Sequence, residues 1–248
     1  VSPSVWGWRE GSIKHIKNYI DLTMCLFNFE DNFYKKKKLP SIHIGHPFSD
    51  LYTSNEEKVF QKYSLDSQNQ FVSILPGSRK SEIRDLLPTY IDFIKIHSKK
   101  NENYEYLIPA SDQEILELIV SYIPPSLPIR VETESAKDFL SISKFSIVTS
   151  GTATLESAIL GVFPIICYKT NPINYFIISR MLKVDNIGLP NLLLGVRKFP
   201  ELIQRNCNPI SINAASKEIE DMQSVSAQLR ELLIGETEEE YINAILKL

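Results

Sequence analysis

Residues 71–83 read Phe71-Val72-Ser73-Ile74-Leu75-Pro76-Gly77-Ser78-Arg79-Lys80-Ser81-Glu82-Ile83, and this stretch decides the fold. Its first five residues are an almost unbroken apolar run, as expected of a strand buried on both faces. Pro76 and Gly77 then punctuate the chain. From Ser81 to Lys99, apolar residues return at helical spacing: Ile83, Leu86, Leu87, Tyr90, Ile91, Ile94 and Ile96 lie mostly on one side. Strand, glycine turn and helix in that order open a strand–helix–strand unit.

The unit repeats downstream. Strands are expected at Tyr104–Pro109, Ile129–Thr133, Phe145–Thr149 and Pro164–Tyr168, and helices at Gln113–Ile123, Ala136–Ser143 and Thr152–Leu160. Such alternation predicts an α/β fold, a Rossmann-like parallel sheet wound by right-handed crossovers and flanked by helices. Upstream, Leu22–Phe27 and Ile42–Gly45 read as short strands, with Lys35–Lys38 between them as a solvated loop or helix end. Gly45-His46-Pro47 turns the chain, with His46 read as part of a capped turn, and a boundary is expected near residue 50. The reading is therefore three segments: 1–50, a sheet domain at 51–210, and a charged helical tail at 211–248.

Composition narrows the function classes. At 248 residues, 43% hydrophobic and 23% charged, the chain has the make-up of a globular protein. Its net charge of -3 gives no global basic field to hold nucleic acid. The three cysteines, Cys25, Cys167 and Cys207, are far apart, so they read as buried free thiols in a reducing compartment. No His or Cys pair has metal-ligand spacing, and no metal is expected. No signal peptide is read at the start, and no apolar run is long enough to span a bilayer. Pro172–Lys183 is a basic and strongly apolar helix candidate, which reads either as core or as a membrane-facing stripe.

In open parallel sheets, ligands bind beyond the carboxyl ends of the strands. The segments after Leu75, Pro109, Thr133, Thr149 and Tyr168 are therefore the places to look. After Leu75, Gly77 lets a ligand approach the backbone, Ser78 follows, and helix-opening amides favour an anion. Arg79 adds a planar cationic fork suited to phosphate. The bland reading is a strand–turn–helix joint with a surface arginine.

After Thr149, the run Ser150-Gly151-Thr152-Ala153-Thr154-Leu155-Glu156 repeats the logic. Small residues expose amides at a positive helix end, which makes a diphosphate cradle of Ser150, Gly151, Thr152 and Thr154. Glu156, one turn in, is placed to accept from ribose hydroxyls. Ordinary helix capping is the bland reading here. Neither loop is a Walker A, a Gly-x-Gly-x-x-Gly or a Gly-x-Ser-x-Gly motif, so no dinucleotide or other cofactor is expected.

A third candidate region is Ile187-Gly188-Leu189-Pro190-Asn191, where a polar amide in an apolar loop is costly unless it is used. Downstream, Phe199-Pro200-Glu201-Leu202-Ile203-Gln204 reads as a short helix start with Glu201 and Gln204 on one face; taken alone, each of these two segments reads as structural rather than functional.

Taken together, SPSVWGWR (2–9), GHPFSD (45–50), LPGSRKSEI (75–83), SGTATLE (150–156), IGLPNLL (187–193) and PELIQ (200–204) resemble the lipid-A-disaccharide synthases. Six matches in order cover nearly the whole chain. The resemblance implies a GT-B fold, with residues 1–50 as the end of an amino-terminal domain and hinge, and 51–210 as the carboxy-terminal UDP-sugar domain. It implies an inverting glycosyltransferase that uses UDP-2,3-diacylglucosamine and 2,3-diacylglucosamine 1-phosphate to form a β-1,6 disaccharide and UDP.

It also implies a cytoplasmic enzyme, with peripheral contact at the inner membrane and the homodimer question open. Arg79 and Asn191 would then serve catalysis. Gly77, Ser78, Ser150, Gly151, Thr152, Thr154, Glu156, Glu201 and Gln204 would bind the donor. The family's general base, an Asp, belongs to the amino-terminal domain that precedes this stretch, so this chain alone is expected to bind UDP weakly and without turnover. Two other readings remain open at this point. One is another UDP-GlcNAc-type GT-B enzyme, an epimerase or transferase; the other is a non-catalytic UDP-sugar-binding remnant.

Overall fold

The computed structural model describes residues 13–170 and 186–246. Internal contacts divide these into two compact units, one holding residues 13–51 and 227–246, the other 52–170 and 186–226.

In the first unit, α1 (Ile13–Tyr19) precedes β1 (Thr23–Cys25), α2 (Asn28–Lys36) and β2 (Ser41–His43). The two strands pair in parallel, Thr23 with Ser41 and Cys25 with His43. Ile16, Cys25, Tyr34 and Leu39 form the buried cluster between them and the helices. The lysine run begins in the last turn of α2, where cations suit the negative helix end. His46 caps the short 3-10 turn Pro47–Asp50 by accepting from the Phe48 amide at 3.1 Å.

The second unit is built on six parallel strands. After α3 (Glu56–Tyr63) come β3 (Gln70–Leu75), α4 (Lys80–Ser98), β4 (Tyr104–Ala110), α5 (Gln113–Val120), β5 (Ile129–Thr133), α6 (Ala136–Ser141), β6 (Ser143–Thr149), α7 (Thr152–Ile159) and β7 (Phe163–Tyr168). Next are α8 (Leu189–Leu194), β8 (Glu201–Ile203), a 3-10 turn at Gln204–Asn206 and α9 (Pro209–Ala215). The chain ends in α10 (Gln223–Leu232) and α11 (Glu238–Leu246).

The strand order is β5-β4-β3-β6-β7-β8. The chain winds outward from β3 through β4 to β5, then returns to the other side of β3 with β6. β3 and β6 therefore flank a topological switch point, where the loops leaving two neighbouring strands part and open a crevice.

Burial explains the central apolar runs: Phe71, Val72, Ile74, Phe145, Ile147 and Val148 are all at most 2% exposed. Buried hydroxyls among them are satisfied. Ser73 Oγ meets Ser143 Oγ at 2.8 Å, and Ser146 Oγ meets Ser157 Oγ at 2.6 Å.

The segment expected as a helix start at 199–204 is instead strand β8. It pairs in parallel with β7, with Ile166 opposite Glu201 and Tyr168 opposite Ile203. Pro200 disfavours helical backbone at Phe199, and the open edge of β7 offers amides and carbonyls that only an extended partner satisfies. Glu201 and Gln204 therefore share no helix face. The expected strand Leu22–Phe27 also shortens to Thr23–Cys25, because Phe27 becomes the N-cap residue of α2.

Candidate functional site

The two glycine loops at the switch point line one cavity of about 630 Å³. From the β3–α4 loop it takes Gly77, Ser78 and Arg79, with Glu82 one turn into the helix. From the β6–α7 loop it takes Ser150 and Gly151, with Thr152 opening α7 and Glu156 one turn in. Gly77 and Gly151 thus share one rim, and Arg79 and Thr152 face the same space.

Each loop has a local cause. Gly77 has φ +99°, which a side-chain-bearing residue rarely adopts. Gly151 is the N-cap residue of α7, and a Cβ there would meet nothing closer than the Thr149 carbonyl at 4.0 Å. The lack of a side chain keeps the first amides of α7 uncovered. The Ser150 amide donates to the Cys167 carbonyl at 2.9 Å, which ties the loop to β7.

Charge in the cavity is mixed. Its lining carries Arg79 and Lys137 against Glu82, Glu134 and Glu156. Arg79 forms an ion pair with Glu82 at 2.9 Å, while Lys80 pairs with Glu114 on α5. The starts of α4 and α7 add their positive helix ends to this mixed side-chain charge. Burial raises the carboxyl pKa of Glu156 above its ordinary value, and nearby Lys137 pulls the other way.

Four of the residues expected at the site do not line this cavity. Thr154 is fully buried, and its hydroxyl donates back to the Gly151 carbonyl at 2.7 Å, which braces the glycine turn. Asn191 is also fully buried. Its Nδ2 donates to the Phe199 carbonyl and to Glu201 Oε1, both at 2.9 Å. Its Oδ1 accepts from the amides of Lys198 at 3.0 Å and Phe199 at 2.9 Å, so every hydrogen-bonding position of the amide is used.

Glu201 accepts from the amides of Ile187 and Gly188, each at 3.0 Å, as well as from Asn191. Gln204 pairs with the Thr170 backbone, accepting at 3.3 Å and donating at 3.2 Å. These groups still connect to the cavity, because Ser150 Oγ donates to the Ile187 carbonyl at 3.2 Å. The motifs at 150–156, 187–193 and 200–204 are therefore one hydrogen-bonded network, with the first on the rim and the other two behind it.

The sequence reading names none of the remaining loops' lining residues as site residues. Pro109 and Ala110 end β4 and Ser111 follows it; Glu134, Ser135, Ala136 and Lys137 follow β5. The strand-end rule pointed to those loops, but they carry no glycine turn or arginine to mark them. Glu134 adopts φ +52°, and Ser135 is buried with its hydroxyl on the Glu132 carbonyl at 3.0 Å. The segments 2–9 and 172–183 lie outside the described residues. Among the described residues, no helix is long and apolar enough to cross a membrane.

A family profile described as lipid-A-disaccharide synthetase matches residues 1–244. The lipid-A-disaccharide synthase of Acinetobacter baylyi is 35% identical over 269 aligned positions, covering 100% of this chain and 67% of that protein. The one from Sulfurihydrogenibium sp. is 34% identical, covering 94% and 65%. The chain thus spans about two thirds of the length of these relatives.

Among solved structures, the UDP-GlcNAc 2-epimerase of Neisseria meningitidis superposes with a TM-score of 0.62 at 11% identity, covering 100% of this chain and 67% of that one. A UDP-N-acetylglucosamine 2-epimerase from Listeria monocytogenes gives 0.54 at 11% identity, covering 91% and 57%. At such identities these two speak for the fold alone, which is GT-B-like. On the profile and the sequence relatives together, the chain belongs to the lipid-A-disaccharide synthase family of glycosyltransferases.

Proposed function

We propose that residues 52–226 form the donor side of an inverting glycosyltransferase that moves 2,3-diacylglucosamine from UDP to 2,3-diacylglucosamine 1-phosphate. The observation that carries this reading is the shared cavity. Gly77, Arg79, Gly151 and Thr152 surround one space at the switch point, where two helix N-termini converge.

In this reading the diphosphate lies across the two glycine turns. Amides at the starts of α4 and α7 receive its oxygens, and Arg79 adds a charge-assisted bond. Glu156 accepts from the ribose. An acceptor hydroxyl attacks the anomeric carbon, the bond from that carbon to the diphosphate oxygen breaks, and the electron pair leaves with UDP. The hydroxyl proton passes to a general base. The helix ends and Arg79 stabilise the charge that grows on the departing diphosphate, which lowers the barrier as preorganised electrostatics does. Thr154, Asn191, Glu201 and Gln204 act here as positioning residues that hold the rim.

The reading is tested by titrating UDP into this polypeptide, with calorimetry for affinity and amide shift mapping for location. The expected outcome is saturable binding, with shifts at Gly77, Ser78, Gly151, Thr152 and Glu156. Shifts confined to other loops would move the donor site elsewhere.

A further inference from the structure

Glu82 occupies an unusual place for a helix-opening carboxylate. It is the third residue of α4, from which a glutamate commonly reaches back to the N-cap amide. Here Oε1 instead accepts from the Arg79 guanidinium at 2.9 Å. Oε2 lies over Gly77, only 2.3 Å from where a Cβ on that residue would sit. One carboxylate thus holds the cavity's arginine and covers its first glycine turn.

That arrangement conflicts with anion binding. The lining carries two cationic side chains, Arg79 and Lys137, and three carboxylates, Glu82, Glu134 and Glu156. A diphosphate entering there meets a surface that is negative on balance before the helix ends are counted. Of the three carboxylates, Glu82 alone has an ion pair with Arg79. Glu82 is also a flexible side chain, 29% exposed, paired with an arginine that is 78% exposed. A pair so open to water is weak and exchanges readily. A phosphate oxygen offers the same guanidinium a stronger, charge-assisted bond.

We propose that Glu82 is a displaceable stand-in for the donor diphosphate, competing with it for Arg79 and for the space over Gly77. The proposal rests on the donor reading of the cavity and adds a specificity device to it. A ligand that brings one weak anionic group does not dislodge Glu82, whereas a diphosphate, which also engages the amides at both helix starts, does. Selection for a diphosphate then follows from the cost of displacing a like charge, and not only from the bonds that its own oxygens form.

The test is a double-mutant cycle in UDP affinity, measured by calorimetry on the wild type, Glu82→Gln, Arg79→Ala and the double variant. Glu82→Gln is expected to tighten UDP roughly three- to tenfold at low salt, the scale of one unit charge a few ångströms away in a hydrated site, and less at high salt. In the Arg79→Ala background the same change is expected to give less than about twofold, because the contested partner is gone.

Weaker binding by Glu82→Gln would mean that Glu82 orients Arg79 for the ligand, and would overturn the proposal. An undiminished gain without Arg79 would overturn it too, since long-range repulsion would then suffice. If none of the four proteins binds UDP, the donor reading falls and the stand-in with it. Binding by all four with no gain from Glu82→Gln removes the stand-in alone. Glu82→Ala repeats the measurement with a different side chain and separates loss of charge from any new contact of the amide.

Discussion

Gly45 and Gly235 meet backbone to backbone. A Cβ on Gly45 would lie 2.6 Å from the Gly235 amide nitrogen, and one on Gly235 would lie 2.2 Å from the Gly45 nitrogen. The contact is stitched on either side, by the His46 amide on the Leu233 carbonyl at 2.9 Å and the Glu236 amide on the His43 carbonyl at 2.8 Å. Backbone cannot move aside as a flexible side chain can. Gly235→Ala is therefore expected to cost about 1–3 kcal/mol of stability, as overpacking does. Gly45 also has φ +79°, so Gly45→Ala adds the left-handed cost of about 1–2 kcal/mol. Urea denaturation of the two variants should show the larger loss for Gly45→Ala, and an unchanged midpoint for that variant would refute the contact.

Arg79→Ala is expected to weaken UDP binding with little effect on folding. Its side chain is 78% exposed and contributes little to the core. One hydrogen bond to a charged group is worth about 1.5–3 kcal/mol, so the dissociation constant should rise about tenfold to a hundredfold. Arg79→Lys should recover only part of the loss, because an ammonium cannot present the planar fork. Wild-type affinity in Arg79→Ala would remove this residue from the site.

Glu156 predicts a pH dependence of stability. Burial raises its pKa in the folded chain, so the folded state holds the proton more tightly than the unfolded state does. The stability tied to this group is fully present below the unfolded carboxylate pKa and is lost as pH rises through the raised folded value. At pH 7 the ionised, desolvated carboxylate therefore works against folding. Glu156→Gln is expected to raise the thermal midpoint at pH 7, with the gain shrinking as pH falls from the raised folded value into the ordinary carboxylate range and gone below it. A gain that stays constant across that range would show that the charge of Glu156 is not its source. The same variant should weaken UDP binding if the carboxylate serves the ribose.

Glu201 and Asn191 should prove more important to stability than exposed Arg79. The Glu201 side chain is fully buried and accepts from two backbone amides and from Asn191. Removing it in Glu201→Ala leaves those donors unpaired at about 1–3 kcal/mol each. A loss of roughly 3 kcal/mol or more is expected from these unpaired donors, readable as a shift in denaturation midpoint. Because Ser150 Oγ rests on the Ile187 carbonyl, amide shifts at Ser150 and Gly151 should also move. A stable Glu201→Ala protein with an undisturbed glycine loop would break the link between network and rim.

The sequence alone determined five of the six strands of the large sheet, β3 to β7. Continuous apolar runs, glycine turns and helical periodicity are local signals, and a strand buried on both faces has no other way to be written. It also marked both cavity loops, because a glycine at a strand end followed by a helix needs only neighbours in sequence. It did not determine which way a side chain turns once the elements pack. Thr154, Asn191 and Glu201 carry the polar groups expected of ligand contacts, yet burial gave each of them a backbone partner. Pairing with β7 turned 201–203 into a strand, which a helical reading of six residues could not foresee. The meeting of Gly45 with Gly235, the placement of Glu82 over Gly77 and the joining of Lys137 to the cavity are relations that sequence spacing does not encode. Tertiary structure decided them, because close approach and charge balance in a cavity depend on distances in space.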